Sequence, residues 1–207
     1  MSTLNSLMKD RMLILASASP RRQQLVSGLD IQYIVEIPNH NEESFDSSMP
    51  FENVPEYLAK MKSESFGRNL EDNEILLTAD TLVLCDGKIL GKPIDRDDAI
   101  FMLRSLSGKK HTVITGVFIK SNFGYTQFSS STDVFFRELS NDEIIFYVDN
   151  YSPYDKAGSY GAQEWIGYIA IEKIEGSYFN VMGLPVQKLY RELVLFIEKG
   201  YSFPEKF

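Results

Sequence analysis

Met12-Leu13-Ile14-Leu15-Ala16-Ser17-Ala18-Ser19-Pro20-Arg21-Arg22 contains the first clear change of periodicity in the chain. The apolar run through Ala16 reads as a buried strand, and the small hydroxyl residues after it read as a turn. Ser19 is a candidate helix cap and Pro20 suits a first helical position, so a short helix is expected over 21–28. A strand that feeds a helix through such a corner is the opening step of an α/β fold. The start of that helix would aim backbone N–H groups and the positive end of its dipole at a docked anion. Arg21 and Arg22 would add planar, permanently charged donors that match phosphate oxygens. On this stretch alone, a capped helix with two solvated arginines accounts for the same residues.

Outward from that corner, 31–35 reads as a strand and 39–48 as a polar loop containing Glu42 and Glu43. A helix is expected over 55–66, with Tyr57, Leu58, Met61 and Phe66 on its inner side. The strand 75–79 leads directly into Asp80. Leu82 to Leu90 reads as a hairpin turning at Asp86-Gly87. Asp95 should cap a helix whose Ala99, Met102, Leu103 and Leu106 form one buried stripe, ending at Gly108. Strands are expected over 111–120 and 128–137, and Ser140 with Glu143 makes a capping box for a helix to about 149. A Gly- and Tyr-rich loop over 151–161, a strand over 166–174 and a loop over 176–183 follow. Pro185 then opens a last helix through Leu189, Leu193 and Phe196. Helices alternating with strands, with hairpins inserted, predict a mixed twisted sheet with flanking helices.

A chain of 207 residues suits one large domain or two lobes sharing a core. Residues 12–200 are expected to be that domain, with 1–11 a frayed lead lacking a signal-peptide pattern and 201–207 a tail. The net charge of −8 argues against binding a nucleic acid polymer, and no apolar run reaches membrane-span length. The one cysteine, Cys85, excludes an intramolecular disulfide, suits a reducing cytoplasm and is read as packing. His40 and His111 are far apart and make no zinc-ligand pattern.

Chemistry concentrates at a few places. Asp80 at a strand end could bind a divalent cation or take a proton from water, and Lys92 could meet phosphate. An exposed turn aspartate and a solvated lysine fit equally at this level, and Lys62 points to solvent or to the same cleft. Glu42 and Glu43 could form a second acidic element or simply a solvated loop. Gly87 to Lys92 imitates part of a P-loop but lacks its spacing and its Ser/Thr, and Pro93 follows. Residues 155–163 are dense in tight-turn formers, and Gln163 offers both a donor and an acceptor to a base edge.

Taken together the chain resembles the Maf family of nucleoside triphosphate pyrophosphatases over about 13–193. The resemblance rests on Leu-Ala-Ser-Ala-Ser-Pro-Arg-Arg (15–22), Ala-Asp-Thr (79–81), Gly-Lys-Pro (91–93) and Leu-Ser-Gly-Lys-Lys-His (106–111). It continues in Asp-Lys-Ala-Gly-Ser-Tyr-Gly-Ala-Gln (155–163) and Gly-Ser-Tyr-Phe-Asn-Val-Met-Gly-Leu-Pro (176–185). It implies a two-lobed fold around a cleft, like that of the inosine triphosphate pyrophosphatases. It implies hydrolysis between the α- and β-phosphates, giving a nucleoside monophosphate and pyrophosphate. It implies a divalent cation, normally Mg2+ with Mn2+ able to substitute, and a homodimer.

Matched position by position, Asp80 falls on the family's proton acceptor, with metal ligation the alternative role, and Glu43, beside Glu42, falls on the acidic position associated with metal or water. Ser17, Arg21, Arg22, Lys62 and Lys92 fall on phosphate-site positions; Lys62 is followed by Ser63 where the family usually has Ala. Arg21, Thr81 and Gln163 resemble the set that favours dTTP and UTP; a 7-methylguanosine triphosphate preference is the alternative. A nucleotide-binding regulator of septum formation is a reading of a different class, as is a polynucleotide binder, which the acidic composition opposes.

Overall fold

β1 (Met12–Leu15) forms where the apolar run predicts it, with Leu13, Ile14 and Leu15 sealed from water. In the computed structural model, which describes residues 3–37, 44–46 and 48–201, it is followed by α2 (Pro20–Ser27) and preceded by α1 (Leu4–Leu7). The remaining strands are β2 (Tyr33–Val35), β3 (Glu74–Cys85), β4 (Lys88–Leu90), β5 (Lys110–Lys120), β6 (Tyr125–Phe136) and β7 (Ile171–Glu175). The remaining helices are α3 (Val54–Glu64), α4 (Arg96–Leu106), α5 (Asn141–Tyr151), α6 (Trp165–Ala170), α7 (Tyr178–Val181) and α8 (Val186–Glu198). Among the described residues, seven strands form a mixed sheet in the order β2-β1-β3-β5-β6-β7, with β4 paired to β3. The fold is therefore mixed α/β, as the alternation of periods predicts.

The chain divides into two compact units. The first holds residues 1–80, 115–129 and 183–207. In it β1 pairs in parallel with β2 on one side and with β3 on the other, Leu15 lying opposite Val35 and Leu77. α8 buries Leu189, Leu193, Phe196 and Ile197 on one face, and α1 packs on it, with Leu4 N donating to Tyr190 Oη at 3.2 Å. The lead expected to fray thus holds a helical turn capped by Thr3, because Leu4 and Met8 are apolar anchors within it. α3 crosses β5 so closely that a Cβ on Gly116 would lie 2.2 Å from Glu56 N and from the Pro55 carbonyl carbon.

The second unit holds residues 81–114 and 130–182. The predicted hairpin is present, Val83 opposite Leu90, and the stripe Ala99, Met102, Leu103 and Leu106 of α4 lies in the core. Asp95 caps α4 through Asp98 N, and Ser140 and Glu143 form a complete capping box on α5. The expected strand over 166–174 is instead α6 followed by β7. Short apolar runs do not by themselves separate strand from helix. Here Ile166 and Ala170, four apart, share the buried face, and only from Ile171 does the chain pair antiparallel with β6. The expected loop over 176–183 contains α7, capped by Ser177.

His111 is a core residue. Its Nε2 lies 2.8 Å from Tyr160 Oη, its ring packs edge-on against Phe136 and Tyr160, and Nδ1 is buried without a hydrogen-bond partner. Burial pushes the imidazole down to about 4.

Two outcomes are expected. Gly116→Ala should destabilise the fold by about 3 kcal/mol, since backbone cannot yield as a side chain does; a denaturant midpoint equal to wild type would refute the close crossing. The unfolded chain protonates His111 near its ordinary value while the folded protein resists, so stability is complete above about pH 6.5 and declines as pH falls toward 4. His111→Gln should flatten that segment of the pH–stability curve, and an unchanged slope in urea titrations would contradict the assignment.

Candidate functional site

The carboxyl end of β1 opens into the Ser17–Arg22 corner. β1 is flanked by β2 and β3, so the chain leaves β1 at the point where strand order reverses, a placement that opens a crevice for ligands in α/β sheets. Ala16 N still donates to Leu77 O at 2.9 Å, which sets Ser17 beside the stretch of β3 that reaches Asp80. β3 does not stop there, as the sequence reading expected, but runs on to Cys85, leaving Asp80 in mid-strand. The β-branched Thr81 and apolar Leu82 follow Asp80, and Val83 to Cys85 pair with β4, so the strand continues through it.

A carboxylate in that position needs a partner. Lys62 provides it: its ammonium donates to Asp80 Oδ1, and the two side chains are only 12% and 11% exposed. The burial pattern of α3 explains why Lys62 turns inward. Val54 and Pro55, Leu58 and Ala59, then Ser63 form the buried stripe, and Lys62 borders it. Met61, expected inside, is exposed, and Tyr57 is half-buried. Thr78 Oγ1 donates to Ala59 O at 2.6 Å, fixing α3 over the same face of β3 that carries Asp80.

The strand–helix corner is built differently from expectation. Ser19 occupies the N-cap position, but its side chain makes no capping hydrogen bond. The Ser17 hydroxyl acts there instead, accepting from Ser19 N at 3.3 Å and from Arg22 Nη1 at 3.5 Å. Arg22 also donates from Nε to Gly183 O at 2.9 Å, which holds its guanidinium in place. Arg21 is half-buried. The structure thus joins Ser17 with Arg22 and Lys62 with Asp80. Glu42 and Glu43 lie outside the described residues. Among the described residues, no group of three or more His, Cys, Asp or Glu gathers as a metal centre.

The second unit carries Thr81, Lys92 and Gln163. Alternation along β3 places Thr81 on the face opposite Asp80, the face of Val83. A Cβ on Gly158 would lie 3.0 Å from Val83, so the 155–163 loop packs on that face. Gly158 N donates to Gly91 O at 3.0 Å, tying the loop to the Gly-Lys-Pro segment. Lys92 is exposed, and Gln163 is half-buried with Oε1 enclosed and without a hydrogen-bond partner. The sequence reading did not single out Tyr147, Lys156 and Glu164, which support this loop. A lysine between turn-forming residues was the signal available for them.

The family model described as Maf-like protein matches residues 12–196. A dTTP/UTP pyrophosphatase of Bacteroides fragilis (strain YCH46) is 52% identical over 181 residues, 87% of this chain and 94% of that protein. A dTTP/UTP pyrophosphatase of Porphyromonas gingivalis (strain ATCC BAA-308 / W83) is 50% identical over 195 residues, 93% of this chain and 98% of that protein. Among solved structures, a HAM1 protein from Coxiella burnetii aligns with 89% of this chain and 99% of its own at 14% identity and a TM-score of 0.46. With one family model spanning nearly all of the sheet and relatives half identical over almost their full length, the chain belongs to the Maf-like protein family.

Proposed function

We propose that the protein hydrolyses nucleoside triphosphates between the α- and β-phosphates, releasing a nucleoside monophosphate and pyrophosphate, with dTTP and UTP preferred. The observation that carries this reading is the enclosed Asp80 carboxylate held by Lys62 in the middle of β3, in a unit whose strand–helix corner carries two arginines. The relatives named above support the substrate class.

In this reading Asp80 orients the attacking water and accepts its proton as the oxygen bonds to the α-phosphorus. The bond from that phosphorus to the bridging oxygen breaks, and pyrophosphate leaves with the electron pair. Lys62 fixes the carboxylate's orientation and presents positive charge beside the reacting phosphate. Ser17 and Arg22 hold the corner in shape, while Arg21, Arg22 and the N–H groups at the start of α2 meet the developing charge. Lys92 is assigned to the phosphates, and Thr81 and Gln163 to substrate discrimination. A Gln carboxamide can accept from N3–H of a uracil-type base while donating to a ring carbonyl.

A hard cation that takes one or two carboxylates and completes its shell with phosphate oxygens and water suits Asp80 as a ligand. Mg2+, for which Mn2+ can substitute, is the proposed ion, with Glu43 the second proposed ligand. Bound there, it would neutralise phosphate charge as a Lewis acid. By family resemblance we also propose a homodimer and a cytoplasmic location.

A panel of canonical and modified nucleoside triphosphates, scored for pyrophosphate, tests the reading. dTTP and UTP should lead, and chelation of divalent cations should abolish release. Leading turnover of 7-methylguanosine triphosphate would overturn the preference, and pyrophosphate release from no triphosphate would overturn the activity. Asp80→Asn should lower kcat by about 10²–10⁴-fold with triphosphate binding kept within a few-fold. Turnover like wild type in that variant would remove Asp80 from the chemistry.

A further inference from the structure

Gln163 sits in a short arch of the second unit. Glu164 N donates to Gly161 O at 3.0 Å, so residues 161–164 close a turn with Gln163 on its crest. One phenol holds both feet of this arch. Tyr147 Oη accepts from Gly161 N at 3.1 Å and donates to Glu164 Oε2. Tyr147 is fully buried on α5, stacked on Tyr151 with ring centroids 5.1 Å apart, and α5 is anchored by its capping box. The other Glu164 oxygen, Oε1, lies 3.1 Å from Lys156 Nζ, which also pairs with Asp155 Oδ1 at 2.7 Å. The Lys156 side chain is only 8% exposed, so its charge requires those carboxylates. Burial and the neighbouring carboxylate both push the Tyr147 phenol up, so it remains a donor across the working pH range.

The packing leaves the arch no slack. A Cβ on Gly161 would lie 2.8 Å from Glu164 Cδ and 3.1 Å from Gln163 Nε2. The glycine therefore exists as a gap that the Glu164 and Gln163 side chains both fill. Any shift of Glu164 passes directly to the residue before it. The enclosed, unpartnered Oε1 of Gln163 marks an acceptor oriented before its donor arrives.

We infer that Tyr147, Glu164 and Lys156 are positioning residues that fix the Gln163 carboxamide and thereby set the preference for a uracil-type base. The inference rests on the proposed role of Gln163 in reading the base. None of the three need touch substrate; they act through the backbone of residues 161–164.

The test compares kcat/KM for pyrophosphate release from dTTP and from 7-methylguanosine triphosphate in the full chain, with thermal midpoints recorded alongside. Tyr147→Phe keeps the ring and removes only the shared hydroxyl. It should lower the dTTP to 7-methylguanosine triphosphate ratio about tenfold, chiefly by raising KM for dTTP. Glu164→Ala should do at least as much, and Glu164→Gln, which keeps an acceptor for the phenol, should recover part of the ratio. If Tyr147→Phe fails to fold, the Glu164 pair decides. Equal losses on both substrates, or an unchanged ratio with only a lower thermal midpoint, would reduce the group to scaffolding and overturn the inference. Gln163→Ala separates the two levels. If it lowers the ratio while the supporting variants do not, only the positioning inference fails. If it leaves the ratio unchanged, the base-reading role fails and the inference goes with it.

Discussion

A carboxylate in the interior of a twelve-residue strand is tolerable only if something compensates its charge, and much of the first unit follows from meeting that demand. Lys62 meets it from α3, which must therefore lie across β3 at one height and rotation. Two contacts fix that placement: the Thr78 hydroxyl on Ala59 O, and the bare Gly116 backbone beneath Pro55 and Glu56. Removing one member of such an enclosed pair takes away compensation that the other's charge relies on, and destabilises the fold. The pair that supports the proposed chemistry is thus also part of what orients α3.

The corner after β1 is held by comparably specific contacts. Ser17 leaves the sheet beside the segment of β3 that carries Asp80, and its hydroxyl accepts from Ser19 N, while the Ser19 side chain, expected to cap α2, makes no cap bond. Arg22 is held by a backbone carbonyl of Gly183, from the segment that introduces α8. That contact spans most of the chain in sequence and costs Arg22 little of its capacity, since a guanidinium has five donors. A site made of such contacts is stiff, which suits a reaction that depends on placing charge before it develops.

In the second unit polar groups are buried for a different purpose. His111 supports Tyr160 from below, and Tyr147 supports residues 161 and 164, so two aromatic hydroxyls hold one irregular loop. Gly158 and Ser159 both adopt positive φ there, a conformation that costs a serine energy and that packing must enforce. The loop is irregular in backbone yet firmly held, a combination suited to presenting one side chain in one orientation.

Elements with a strong local signal were legible in the sequence. The Asp86-Gly87 hairpin, the Asp95 cap, the Ser140–Glu143 box and the stripe of α4 all follow from period and turn chemistry within a dozen residues. The run over 166–174 misled because helix and strand compete evenly in short apolar segments, and packing of Ile166 and Ala170 settled the first half as helix. Residue types also pointed to the groups assigned to the proposed chemistry: two arginines at a helix start, an acid after an apolar run, a glutamine in a glycine-rich loop. Which lysine meets Asp80, which serine closes the corner, what Arg22 holds, and what steadies Gln163 were decided only in three dimensions. Those contacts join residues up to 161 positions apart, and the pairing of distant side chains depends on how helices lie on the sheet, which no local pattern encodes.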